Sequence, residues 1–271
     1  MAKPRLGQHF LTDVSFLQPI LDAAEITAED AVVEVGPGKG VLTKALCAQA
    51  GRVLALELDE RLANHLHERL GAKENLEVRL QDARRVDWTQ TAAELRARGF
   101  AQVKLVSNLP YYLATQMVIH ALAAPQGCDR LVVMVQDEVA RRMVAAPGGR
   151  EYSAYTVALQ YYGVPTYIVK VPPQAFNPPP KVSSAVVRID RRAVPPVALN
   201  NPDAFFFIVH AMFTHRRKTL RRCLQGSAGV PNQAAWDLGL AQAGIDSQRR
   251  PETLSLEEMA RLVHAVEINK P

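Results

Sequence analysis

Over its first two-thirds the chain alternates short apolar runs with segments of helical spacing, and this rhythm limits the fold more than any other feature. Ala31–Val35 is an apolar run that leads into Gly36-Pro37-Gly38-Lys39-Gly40, and Val41–Ala50 then reads as a helix. Arg52–Asp59 is rich in β-formers, and Leu62, Leu66 and Leu70 give Glu60–Leu70 a helical period. Leu76–Gln81 alternates, Thr91–Arg98 reads as a helix, and Lys104–Ser107 is a strand stub ending at Asn108. Leu113–Ala123 is helical again and Leu131–Gln136 is a fully apolar strand. A βαβα order predicts an α/β, Rossmann-like sheet, mostly parallel and covered on both faces. The functional site of such a sheet lies at the C-terminal ends of its strands.

The pattern then changes. Tyr155–Tyr162 reads as a helix and Tyr167–Val171 as a strand, while Pro172–Pro180 excludes both a helix and a central strand. Ser184–Ile189 resumes a strand, and Pro195-Pro196 marks a linker. Beyond it only helices are signalled. Asn201-Pro202 is an N-cap followed by Pro at the first helical position, opening a helix to about Phe213. Thr219–Leu224, Asn232–Ala243 and Leu256–Val266 follow, the last with Ser255 and Glu258 as a capping box. The expected division is an α/β domain over 1–192 and a small all-α domain over 197–271.

The 271 residues are enough for such a pair. At 48% hydrophobic and 22% charged, the composition is that of a globular protein. No apolar run approaches the roughly 18 residues of a membrane span. The first ten residues are basic and polar and lead into no apolar segment of a secretory signal, so none is expected. Cys47, Cys128 and Cys223 are far apart with no CxxC pair, which argues against a disulfide framework or structural zinc and suits a reducing cytoplasm. The histidines show no metal-ligand spacing, so no metal is expected. The net charge of +5 is uneven: residues 191–271 carry 11 Lys and Arg against 7 Asp and Glu, whereas residues 1–190 carry 21 against 20. The basic last third is either a polyanion-binding surface or a solvated face.

Glycines in a turn between strand and helix let a ligand approach the backbone. The spacing here is GxGxG, with Val41 where a dinucleotide fingerprint needs its third glycine, and Lys39 is followed by Gly40 rather than by the Ser or Thr of a phosphate-binding loop. This excludes a dehydrogenase and favours a nucleoside ligand without phosphates. Glu57, closing the second strand, is placed to take both ribose hydroxyls. Asp82, after the third, is placed to accept from an adenine amino group. The three together suit S-adenosylmethionine.

Asn108-Leu109-Pro110-Tyr111 follows the fourth strand, at the same rim. The exocyclic amine of adenine is a poor nucleophile because its lone pair is delocalised into the ring. Two acceptors aimed at its hydrogens, the Asn108 side-chain oxygen and the Leu109 carbonyl, would favour a tetrahedral nitrogen, with Pro110 fixing the turn. Tyr111 offers a face on which an extruded base can stack.

These motifs together make the chain resemble the KsgA/RsmA family, the ribosomal RNA adenine dimethyltransferases. The resemblance spans nearly the whole length. It runs from Leu6-Gly7-Gln8-His9-Phe10-Leu11 through Glu34-Val35-Gly36-Pro37-Gly38, Glu57-Leu58-Asp59, Gln81-Asp82-Ala83 and Asn108–Tyr111. Late in the chain come Phe176-Asn177-Pro178-Pro179-Pro180-Lys181-Val182, Ser184-Ala185-Val186-Val187 and Arg216-Arg217-Lys218-Thr219-Leu220-Arg221. The resemblance implies a class I methyltransferase sheet with one antiparallel strand late, followed by a small helical domain. It implies S-adenosylmethionine contacts at His9, Leu11, Gly36, Glu57, Asp82 and Asn108. Relatives often carry Asn at position 9, so a His9 contact rests on the backbone. Phe176 would stack on the far face of the target adenine or anchor its loop, and Tyr112 is a second aromatic or a core residue.

The implied activity is dimethylation of N6 on two adjacent adenosines near the 3′ end of 16S ribosomal RNA in the 30S particle, by a monomer that needs no membrane. An Erm-type 23S RNA methyltransferase and a ribosome-assembly factor are the alternatives. Arg216, Arg217, Lys218, Arg221 and Arg222 form the densest positive stretch and are the expected RNA contacts. At helical spacing Arg217 and Arg221 share one face, as do Lys218 and Arg222. Arg84, Arg85, Arg141 and Arg142 add basic positions in the first domain.

Overall fold

The computed structural model describes residues 9–268 except 216, 226, 228 and 230. Leu6, Gly7 and Gln8 of the opening motif and Arg216 of the basic stretch lie outside the described residues.

The elements run β1 (Phe10–Leu11), α1 (Leu17–Ala24), β2 (Asp30–Val35), α2 (Val41–Leu46), β3 (Arg52–Glu57), α3 (Glu60–Leu70), β4 (Leu76–Leu80) and α4 (Trp88–Ala97). Next come β5 (Gln102–Asn108), α5 (Ala114–Ala123), β6 (Arg130–Gln136), α6 (Asp137–Met143), α7 (Ala154–Tyr162), β7 (Gly163–Val171), β8 (Phe176–Asn177) and β9 (Ser184–Arg191). Four helices complete the chain: α8 (Pro202–Thr214), α9 (Leu220–Cys223), α10 (Gln233–Gln242) and α11 (Leu256–Ile268).

Chain contacts divide the protein into two units. The first comprises residues 1–141 and 162–191, the second 142–161 and 192–271. Residues 142–161, expected in the α/β domain, group with the helical unit. Their bonds are to one another and to the later chain. Thr156 Oγ1 donates to Arg142 O and Gln160 Nε2 to Met143 O and Ala145 O, so this excursion is bonded to itself, and Gly148 N donates to Glu252 O.

The first unit is a seven-stranded sheet of order β4-β3-β2-β5-β6-β9-β7. The first five strands in that order are parallel, and β9 pairs antiparallel with both β6 and β7. One reversed strand late in the chain is what the sequence implied. β2, β5 and β6 are buried nearly end to end, as parallel strands covered on both faces must be. The strand order turns between β2 and β5, so their C-terminal ends flank the crevice where such sheets bind ligands. At the opposite end the buried Lys104 ammonium donates to the Asp30 carboxylate at 2.8 Å and to Glu25 O at 2.6 Å.

A second, two-stranded sheet joins β1 to β8, with Leu11 opposite Phe176. Pro in the first turn does not stop α1, where the missing N–H has no helical acceptor to lose.

The second unit packs around Tyr152, Phe205, Met212, Trp236 and Leu262, all buried. Phe205 meets Phe206 edge-on at 5.2 Å, and the Trp236 indole donates to Leu220 O at 2.7 Å. The predicted caps are present: the Asn201 side chain accepts from Ala204 N, and Ser255 and Glu258 bond reciprocally. Among the described residues no helix is long and apolar enough to cross a membrane.

Candidate active site

The loop after β2 carries Gly36, Gly38 and Gly40 at φ of +66°, +57° and +81°, all in the left-handed region. Gly36 N donates to Leu56 O at 2.9 Å, which ties the loop to the end of β3. A Cβ on Gly36 would lie 3.7 Å from Pro110, so the glycine loop and the Asn108–Tyr111 turn are neighbours. A Cβ on Gly38 would lie 2.8 Å from the Phe10 ring, and the Lys39 ammonium sits 5.2 Å from the centre of that ring. The segment around β1 thus lies directly on the glycine loop.

Glu34, the last residue but one of β2, is 2% exposed, and its Oε2 has no hydrogen-bond partner among the described residues. Burial pushes its carboxyl up to about 8, and the negative charge of Glu57 adds to the push. Glu57 is buried at the end of β3, and one of its carboxylate oxygens accepts from Leu58 N at 2.8 Å and Asp59 N at 2.9 Å. Asp82 accepts from Arg84 N and is ion-paired with the Arg84 guanidinium, which holds its carboxyl below the usual range. Its acceptor capacity is therefore shared with the Arg84 guanidinium.

Asn108 ends β5. Its Nδ2 donates to His9 O at 3.4 Å, which leaves Oδ1 as its acceptor. Leu109 is buried, and its N–H donates to Met134 O at 3.1 Å, fixing the peptide that follows Asn108. The His9 ring donates through Nδ1 to Pro178 O at 2.8 Å and stacks on Tyr111 with centroids 6.0 Å apart. The Tyr111 hydroxyl bonds Ser184 Oγ at 2.9 Å. One rim therefore brings together His9, Leu11, Gly36, Glu57 and Asn108–Tyr111. Ser184 and Pro178 join them; both were visible only as members of motifs, because their partners lie 73 and 169 residues away.

Burial separates the two readings left open for each of two aromatics. Phe176 is 3% exposed and belongs to the apolar cluster with Leu11, Ile20 and Val171. Its strand pairing with Leu11 holds it inward, so it anchors its loop and presents no free face to a base. Tyr112, in contrast, is 57% exposed and is no core residue.

The basic stretch also differs from its helical reading. α8 ends at Thr214, Lys218 N donates to His215 O in a turn, and Thr219 is extended at ψ 162°. Leu220 N then donates to Arg249 O and Arg221 N to Ser247 O. These outside acceptors start a new short helix at Leu220, so Arg217 and Arg221 do not share a helix face, nor do Lys218 and Arg222. All four are nevertheless exposed on the second unit. In the first unit Arg84 and Arg141 are paired with Asp82 and Asp137.

A family model described as "Ribosomal RNA adenine dimethylase" matches residues 1–267. A ribosomal RNA small subunit methyltransferase A from Pelotomaculum thermopropionicum is 45% identical, over 95% of this chain and 88% of its own. One of the same name from Moorella thermoacetica is 42% identical, over 94% and 89%. Among solved structures, a dimethyladenosine transferase from Plasmodium falciparum superposes with a TM-score of 0.79 at 24% identity, covering 94% of this chain and 96% of that one. The 23S rRNA methyltransferase ErmE does so with 0.71 at 26%, covering 95% and 99%.

Proposed function

Because the chain belongs to the ribosomal RNA adenine dimethylase family, we propose that it transfers methyl groups from S-adenosylmethionine to N6 of two adjacent adenosines near the 3′ end of 16S ribosomal RNA. It acts on the 30S particle or its precursor during small-subunit assembly, as a monomer in the cytoplasm. The names of the relatives at 45% and 42% identity support the small-subunit substrate.

The residues present fit that cofactor. Glu34 offers a buried carboxyl oxygen without a hydrogen-bond partner among the described residues, and Gly36 and Gly38, with no side chains of their own, let a ligand approach the loop backbone. Glu57 keeps a second carboxylate oxygen for hydroxyl donors. When bound, S-adenosylmethionine supplies a methyl group already activated on a sulfonium. The task left to the protein is orientation and electrostatic support of the accepting nitrogen. Asn108 Oδ1 and the Leu109 carbonyl accept the two amine hydrogens of adenine and draw its lone pair out of the ring. Tyr111 holds the base against its face. Arg217, Lys218, Arg221 and Arg222 on the helical unit contact RNA phosphates, which give affinity without sequence choice.

The observation that carries this reading is the bond from Asn108 Nδ2 to His9 O, which orients the Asn108 amide at the end of β5 and leaves its oxygen as the group available to a ligand. The test is nucleoside mass spectrometry after incubation with labelled S-adenosylmethionine, comparing purified 30S particles with naked 23S RNA. Dimethyladenosine in 30S RNA is expected. Product on 23S RNA alone overturns the proposal.

A further inference from the structure

The direction of β9 decides which of its ends reaches the site. Ser184, its first residue, pairs with Gln136 at the end of β6 and with Val171 at the end of β7. Because β9 runs against its neighbours, its start stands at the rim where β2 and β5 finish. A parallel strand in that place would have delivered its last residue there instead. Ser184 is 0% exposed, and its hydroxyl lies 2.9 Å from the Tyr111 hydroxyl. The Tyr111 ring is thus fastened at its tip by Ser184 and covered on one face by His9.

We infer that Ser184 is a positioning residue for methyl transfer, acting through Tyr111. The inference rests on the proposed role of Asn108–Tyr111 in holding the target adenine. A stacked base takes its plane from the ring beneath it, and a tilt of that ring displaces N6, at the edge of the base, more than the base centre. Misplacement of a reacting atom by about 1 Å can cost on the order of 10²-fold in rate. A phenol tied at its oxygen cannot tilt without breaking that bond. It also cannot leave without stranding a buried serine hydroxyl, which is unfavourable in itself. Sequence position hides the relationship, since Ser184 heads an apolar strand that otherwise reads as core.

The test compares Ser184→Ala, Tyr111→Phe and the double variant in the full chain, with 30S particles as substrate. Each single variant should lower kcat about tenfold, the scale of one lost orienting hydrogen bond, with KM for 30S particles and affinity for S-adenosylmethionine changed less than about twofold. The double variant should be no worse than either single one, because both remove the same bond. A folded Ser184→Ala protein with wild-type kcat overturns the inference. So do effects that multiply in the double variant, or a loss in Ser184→Ala that Tyr111→Phe does not share. If Ser184→Ala does not fold, Tyr111→Phe alone decides, since unchanged kcat in that variant is equally fatal. Wild-type protein that leaves 30S RNA unmethylated refutes instead the functional reading on which the inference rests.

Discussion

The side-chain amide of Asn108 donates to the main-chain carbonyl of His9, linking the end of β5 to the segment that opens the described chain. The contact orients the one side chain on which the proposed chemistry turns. Asn108→Ala removes an acceptor aimed at the reacting amine and should lower turnover by about 10²-fold or more, as loss of a preorganised polar group does. Binding to 30S particles should remain, because the exposed arginines lie on the other unit. Turnover and sedimentation binding measured on one preparation check both halves, and unchanged turnover refutes the assigned role.

Gly38 faces the Phe10 ring with no room for a Cβ and sits at φ +57°. Gly38→Ala should therefore cost stability by about 1–2 kcal/mol, from backbone strain and the displaced ring. It should also weaken S-adenosylmethionine binding in calorimetry. The same substitution at Gly148, which also has positive φ but open space around it, should cost only the strain.

Glu34 gives a pH dependence whose sign is fixed. Burial raises its carboxyl from 4.5 to about 8, so the folded protein holds a proton that the unfolded chain has already released between those values. The resulting stability is complete below about pH 4.5 and is lost as pH rises through about 8. Glu34→Gln mimics the protonated form. Its melting temperature should therefore fall less than that of the wild type between about pH 5 and pH 9. Parallel melting profiles would remove Glu34 as the cause.

Lys104 and Asp30 form an ion pair with side chains 3% and 4% exposed, at the end of the sheet away from Gly36 and Asn108. Removing one partner strands the other charge. Lys104→Met should cost about 3–5 kcal/mol in urea unfolding. Its affinity for S-adenosylmethionine at low temperature should match the wild type.

Arg217 and Arg221 occupy a turn and a separate short helix, so each should meet phosphate on its own account. Replacing both by Gln should reduce the salt slope of 30S binding by about 2, and each single variant by about 1. A slope that stays at the wild-type value makes the stretch a solvated surface only.

The parts of this fold that were legible in the sequence are those whose cause is local. Glu60–Leu70 shows its leucines at helical spacing, and Asn201-Pro202 and Ser255 with Glu258 carry their own caps. The glycine loop needs positive φ at three positions and spells that need in glycines. Long-range causes left no such mark. β1 and β8 are two residues each and exist only because they pair across 165 positions. Phe176 reads as a candidate stacking ring until that pairing turns it into the core. The break between the helix ending at Thr214 and the one starting at Leu220 was legible, but the acceptors at Ser247 and Arg249 that hold the second start were not. The excursion 142–161 belongs to the helical unit through bonds that no composition shift announces.

The pairing of Phe10–Leu11 with Phe176–Asn177 has a consequence for the order of events at synthesis. A chain emerging from the exit tunnel carries its first strand long before that strand's partner has been made. The glycine loop, the acidic strand ends and the asparagine turn can all take shape in the meantime, but the cover over them cannot. A nascent chain ending before Phe176 is therefore an open vessel, and catalytic competence should arrive late, only after the proline-rich loop and the strand that follows it have cleared the tunnel.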